Sequence, residues 1–165
     1  MDINNLINKC HTASRTSGWW TNISTGRPID PWSVVVEKIA LCHSEVTEAY
    51  VADLHTLFDD KLPHRLGVEV ELADVVIRAA DLLGALFGDA TFFALPNVTN
   101  QTNAADNLLD IHAALSDAVE AARKNKDITV GLLTAIQLCL NTRFTRTGVA
   151  IDVGSAIQEK LDFNA

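Results

Sequence analysis

Two stretches of this chain space their acids as metal or proton chemistry would. "HSEVTEAYVADL", residues 43–54, carries Glu45 and Glu48 three positions apart, and "EVELADVVIRAADLL", residues 69–83, repeats the spacing as Glu71 and Asp74. On a helix, residues three apart lie on the same side, one turn above the other, so each pair points one way. If the two helices pack antiparallel with axes about 8–10 Å apart, both pairs converge on one spot. Four carboxylates there repel one another unless a divalent cation joins them. With one, they form a cage of hard oxygen ligands suited to Mg²⁺ or Mn²⁺. Single acid pairs of this spacing are common on solvated helix surfaces. These differ in their flanks, which are apolar: Ala40, Leu41, Val46 and Ala49 around the first pair, Val70, Ala73, Ile77 and Ala80 around the second. That places the acids near a buried edge, where unpaired charge is costly.

The elements that would position them read as helices. Ile3, Leu6, Ile7, Cys10 and Ala13 recur at three- and four-residue steps and predict a helix over 3–16. "SGWWTNISTGRPIDPW" is a loop by composition. Asp30 then offers an N-cap and Pro31 a first helical residue, so the second helix is expected from about 31 to about 57. Pro63 in "FDDKLPHRLG" breaks it. A third helix is expected from near Gly67 to about Phe87, where Gly88 can cap it. "DATFFALPNVTNQT" is a connector, and a fourth helix over roughly 102–124 ends in "RKNK", cations suited to the negative end of its dipole. Asp127 caps a fifth, roughly 128–146, which Gly148 closes, and a last helix covers roughly 152–163. "VGLLTAIQLCLNTRF" in the fifth is apolar on nearly every side, as befits the middle of a bundle or a subunit interface. The expected architecture is one all-α domain over 1–165, a bundle of about five to six helices. Its core would be completed by oligomerisation, as a homodimer or homotetramer.

Composition narrows the function. The 165 residues suffice for a core, and the formal charge of −8 repels nucleic-acid backbone, with no basic stripe to compensate. An acidic protein that takes phosphates needs metal ions or a few well-placed Lys and Arg. No apolar run is long enough for a bilayer. "MDINNLINKC" lacks a basic region followed by an apolar one, so no secretory signal is read and a soluble, cytoplasmic protein is expected. Cys10, Cys42 and Cys139 are far apart and sit at apolar helical positions, as buried free thiols do.

Glu45-x-x-Glu48, twenty-two residues, then Glu71-x-x-Asp74 resembles the signature of the all-α nucleoside triphosphate pyrophosphatases, the MazG-like group. "HSEVTEA", "DDKLPHRLGVEVELADVVIRAADL", "GWW" and the closing "IQEKLDFNA" are similar to its phage and bacterial branch. The likeness is dense from about residue 9 to 88 and returns at 155–165. It implies hydrolysis of a (deoxy)nucleoside triphosphate to the monophosphate and pyrophosphate, with Mg²⁺ held by Glu45, Glu48, Glu71 and Asp74. It also implies that Lys160 and Asn164 approach the nucleotide. Some phage members act on dGTP and GTP, so a guanine nucleotide is the expected substrate, in the host cytoplasm if the protein is viral. Of the four acids, Glu48 is assigned the catalytic role of orienting or deprotonating the attacking water.

Other residues could serve such a site. Lys38 lies two turns before Glu45, and Lys61, His64 and Arg65 lie in the break between helices two and three. Each could meet phosphate oxygens, although lone cations are more often solvated. Trp19 or Trp20 could stack on a base or cap the bundle end, and Ser17 and Asn22 could read its edge. Arg78 and Asp81 continue the acid face and read as an internal pair orienting the acids. His43 and His55 read as packing or surface residues. A carboxylate-bridged di-iron bundle would need Glu-x-x-His motifs, and none occurs. The remaining alternative is a catalytically silent helical nucleotide-binding or interaction protein.

Overall fold

A computed structural model describes residues 2–88, 93–98 and 102–163. Six α-helices follow in order: α1 (Ile3–Thr16), α2 (Val35–His55), α3 (Gly67–Phe87), α4 (Ala104–Arg123), α5 (Thr129–Asn141) and α6 (Val153–Phe163). Among the described residues there is no strand, only isolated bridges between loops, so the chain is all-α. No helix among them is long and apolar enough to cross a membrane.

Local chemistry sets the ends. Asp2 accepts from the Asn4 amide at 3.0 Å and starts α1. Asp30 accepts from the Trp32 amide at 3.2 Å, but the first turn after it, Pro31–Val34, is a 3₁₀ turn that leads into α2 at Val35. Thr56, in the left-handed conformation (φ 53°), ends α2. Asp59 then organises the break by accepting from the Lys61 and Leu62 amides at 3.0 and 2.6 Å. Gly88 (φ 65°) closes α3, and Asp127 accepts from the Thr129 amide at 2.8 Å at the start of α5.

The expectation fails at the end of α5, which stops at Asn141 rather than near 146. The Thr142 hydroxyl donates to the Leu138 carbonyl at 3.0 Å and accepts from the Asn107 amide group at 2.8 Å. The Arg143 and Phe144 amides then both donate to the Thr102 carbonyl, at 2.7 and 3.0 Å. These bonds draw the chain out along the start of α4. Gly148 (φ 83°) therefore shapes a turn between Thr145 and Val149 instead of ending a helix.

The centre of the bundle is α3, which packs on α1, α2, α5 and α6. Its contacts with α2 run in opposite directions along the two chains: Ala52 meets Gly67, while Glu45 meets Arg78. The two acid-bearing helices are therefore antiparallel. The apolar α5 is enclosed by α3 and α4 within the one chain, with Leu132, Ile136 and Cys139 fully buried.

Helix α1 approaches α3 closely at Gly84, where an added Cβ would lie 2.6 Å from the His11 Cβ. Gly84→Ala is therefore expected to push α1 outward and cost about 1–3 kcal/mol, as overpacking does. A urea denaturation midpoint unchanged from that of the parent chain would refute this.

Candidate metal and nucleotide site

Antiparallel packing brings Glu45 of α2 to Glu71 and Asp74 of α3. One carboxylate oxygen from each lies within 4.8 Å of the others. Glu45 is buried, and its Oε1 accepts from the Arg78 guanidinium at 2.7 Å. Asp74 accepts from the Lys160 ammonium of α6 at 2.7 Å, and Lys160 is only 4% exposed. Burial would lower the Lys160 ammonium, but the hydrogen bond with Asp74 and the charges of Asp74, Asp59 and Glu71 outweigh it and raise it. Burial raises the Asp74 carboxyl by more than Lys160, Arg78 and Lys61 lower it.

Glu71 shows the strain of the cluster. It is pushed up to about 8 by burial, then by its hydrogen bond with Glu45 and by the charges of Asp74, Glu45 and Glu48. Two cations face three clustered acids, so the third holds a proton. Glu48 stands outside the tight group. It is exposed, makes no ion pair among the described residues, and is still near enough for its charge to act on Glu71.

The donor set fits a hard divalent cation. All three clustered groups are carboxylates, with no His or Cys among them, as Mg²⁺ and Mn²⁺ prefer. In octahedral Mg²⁺ coordination neighbouring oxygens stand about 3.0 Å apart and opposite ones about 4.2 Å, so the three oxygens, which lie within 4.8 Å of one another, would draw together around an ion. With the Glu71 proton released, four acids against Arg78 and Lys160 leave two negative charges, which one such ion balances.

A cavity of about 360 Å³ opens beside the cluster, walled by Trp19, Lys38, Asp74, Arg78 and Asp81 and by the small side chains of α1. The two tryptophans part company here. Trp19 is 59% exposed at the cavity, whereas Trp20 is buried and its Nε1 donates to both Asp81 oxygens at 2.9 and 3.1 Å. The Lys38 ammonium lies 4.7 Å from the Trp20 ring centre, a cation–π contact at the cavity wall. His11 Nδ1 meets Asp81 Oδ1 at 2.8 Å and its ring stands edge-on to Trp20.

Several expected groups are placed elsewhere. Arg78 and Asp81 are not paired with each other: Arg78 reaches across to Glu45, and Asp81 holds Trp20 and His11. Arg65 is bound to Glu159 at 2.7 and 3.0 Å, to Ser155 at 2.6 Å and to Glu69 at 3.2 Å. His64 also meets Glu159, at 2.7 Å, so both side chains fasten the α2–α3 break to α6 rather than opening to a ligand. Lys61 is exposed, and its charge reaches Asp74. Ser17 lines the cavity, while the Asn22 side-chain oxygen accepts from the Ser24 and Thr25 amides at 3.0 Å. Asn164 lies outside the described residues. His11 had no signal in the sequence, since it meets its partner seventy positions away. His43 stacks on His112 of α4, ring centres 5.0 Å apart, and all three cysteines are free and buried. No family model, curated protein or solved structure matches the chain.

Proposed function

We propose that this chain is a MazG-like nucleoside triphosphate pyrophosphohydrolase, converting a (deoxy)nucleoside triphosphate to its monophosphate and pyrophosphate with Mg²⁺. The observation that carries the reading is the convergence of Glu45, Glu71 and Asp74, drawn from the two acid pairs, beside a cavity with an open indole in its wall. Glu45, Glu71 and Asp74, with Glu48 at the rim, would hold the metal. A bound Mg²⁺ supplies charge neutralisation at the phosphate oxygens and an acidified water. Glu48 takes the proton of the attacking water as its oxygen bonds to phosphorus. The anhydride bond between the α- and β-phosphates then breaks, and pyrophosphate leaves. Arg78 and Lys160 hold Glu45 and Asp74 in place and offer positive charge to the leaving phosphates. Trp19 offers a face for the base to stack on.

The expected guanine preference finds a partner in Asp81. Its carboxylate at the cavity wall can only accept when ionised, and Oδ2 receives one hydrogen bond, from Trp20. The N–H edge of guanine supplies donors to such a group.

The Arg78–Glu45 and Lys160–Asp74 pairs favour a second reading, a self-neutralised knot in a silent nucleotide-binding or interaction protein. Incubating the chain with each NTP and dNTP plus Mg²⁺ separates the two. Monophosphate and pyrophosphate in equal amounts are expected, fastest from GTP or dGTP. If no nucleotide is converted, the silent reading replaces the enzymatic one.

A further inference from the structure

We infer that His43 and His112 form a second metal site, which takes Zn²⁺ or another imidazole-preferring divalent ion and ties α2 to α4. The two Nδ1 atoms stand 2.7 Å apart. Two N–H groups cannot face each other so closely, so one Nδ1 donates its proton and the other accepts it. The pair is thus two adjacent nitrogen donors sharing one hydrogen. Neighbouring ligands about 2.05 Å from one ion stand about 2.9 Å apart in a square arrangement and about 3.3 Å in a tetrahedral one. The rings need part by no more than about 0.6 Å to reach that spacing.

The packing of the bundle holds both donors ready. Cys42 and Ile111, the residues before the two histidines, are fully buried, so the core fixes both backbones. The rings themselves are only half-buried. An ion can therefore arrive from water and keep water in its remaining positions. Two residues turn 200° around a helix, so His43 faces α4 while Glu45 faces α3. The pair lies on the far side of α2 from the acid cluster and shares no ligand with it.

The donors also select a different ion. Imidazole nitrogen suits Zn²⁺, Cu²⁺ and Ni²⁺, whereas Mg²⁺ takes oxygens. The positions one turn before and after each histidine carry no charge, so nothing there recruits a hard cation. Among the described residues, neither ring hydrogen-bonds to any other side chain, so no third group must be displaced. Binding needs no net loss of a proton. The donating ring carries its proton on Nε2 instead, by exchange with solvent, and a turn of each ring aims both Nδ1 lone pairs at the ion. Only the folded chain sets the two donors side by side, so the ion stabilises it.

Titrating the full chain with Zn²⁺ at neutral pH, in excess Mg²⁺, tests this. The expected result is that one equivalent shifts the ring nitrogen NMR signals of His43 and His112 and leaves those of His11, His55 and His64 in place. His43→Gln and His112→Gln each reduce the chelate to a single ligand. Either is expected to weaken Zn²⁺ binding by about 100-fold or more, with the helical circular dichroism unchanged. Should a variant misfold, the ring signals of the parent chain still decide, and they do so whether or not the acid cluster holds metal. Three results would each overturn the proposal: no uptake of Zn²⁺, uptake that leaves both ring signals unmoved, or uptake undiminished in a folded variant.

Discussion

Replacing Glu48 by Gln is expected to lower kcat for triphosphate hydrolysis by at least about 100-fold, the loss typical of a removed general base. Glu48 is the one acid of the four whose side chain is exposed and held by no cation among the described residues. The substitution therefore orphans no buried partner, and unfolding free energy should move by no more than about 0.5 kcal/mol. The other three differ. Neutralising Glu45 or Asp74 leaves Arg78 or Lys160 without its ion pair, so lost activity in those variants would mix chemistry with folding. The Mg²⁺ dependence tells apart the two roles open to Glu48. A residue that only helps to hold the ion gives a variant rescued by raising Mg²⁺. A residue that takes the proton gives a kcat that stays low at saturating metal and nucleotide. Full activity in Glu48→Gln would remove the residue from the reaction altogether.

The bundle was legible wherever its signals are local. Helices over Ile3–Thr16 and Gly67–Phe87 have the bounds that apolar spacing, Pro63 and Gly88 predict, because a cap or breaker acts within a turn of where it stands. The end of α5 was not legible. It is decided by the Asn107 amide and the Thr102 carbonyl, which approach only once α4 has packed. The site divides in the same way. Spacing of three placed Glu71 and Asp74 together on α3, and Glu45 on the facing side of α2. Three residues are also 60° short of a full turn, which is enough to bury Glu45 and leave Glu48 at the rim. The counter-charges could not be read. Arg78 looked like a neighbour of Asp81, but it answers to Glu45 on another helix. Lys160 entered through a family likeness, and no spacing in the chain links it to Asp74. His11 and Trp20 meet Asp81 across seventy and sixty-one positions, and only the close approach of α1 at Gly84 brings His11 there.

Stability and metal binding should be linked through Glu71. Its carboxyl stands at about 8 against an ordinary 4.5. Between those values the folded chain keeps a proton that the unfolded chain releases, so stability is expected to fall as pH rises through this window. In chelator, then, the chain melts at a lower temperature at pH 8 than near pH 6.5. Burial lowers both His43 and His112, the mutual charge adding to this at His43, and their effect has the opposite sign. It is confined to pH below about 6.5, so the upper part of the window belongs to the acid cluster. Glu71→Gln, which fixes the protonated form in place, should flatten the slope. Mg²⁺ offers the cluster the positive charge that the proton supplied. At about 100 times its dissociation constant it adds about 2.7 kcal/mol, or roughly 5–10 °C for a chain of this size. The gain should be larger at pH 8 than at pH 6.5, because binding at the lower pH must first displace the proton. A melting temperature indifferent to Mg²⁺ at pH 8, in the parent chain as in Glu71→Gln, would mean that Arg78 and Lys160 already satisfy the acids and that this cluster holds no metal.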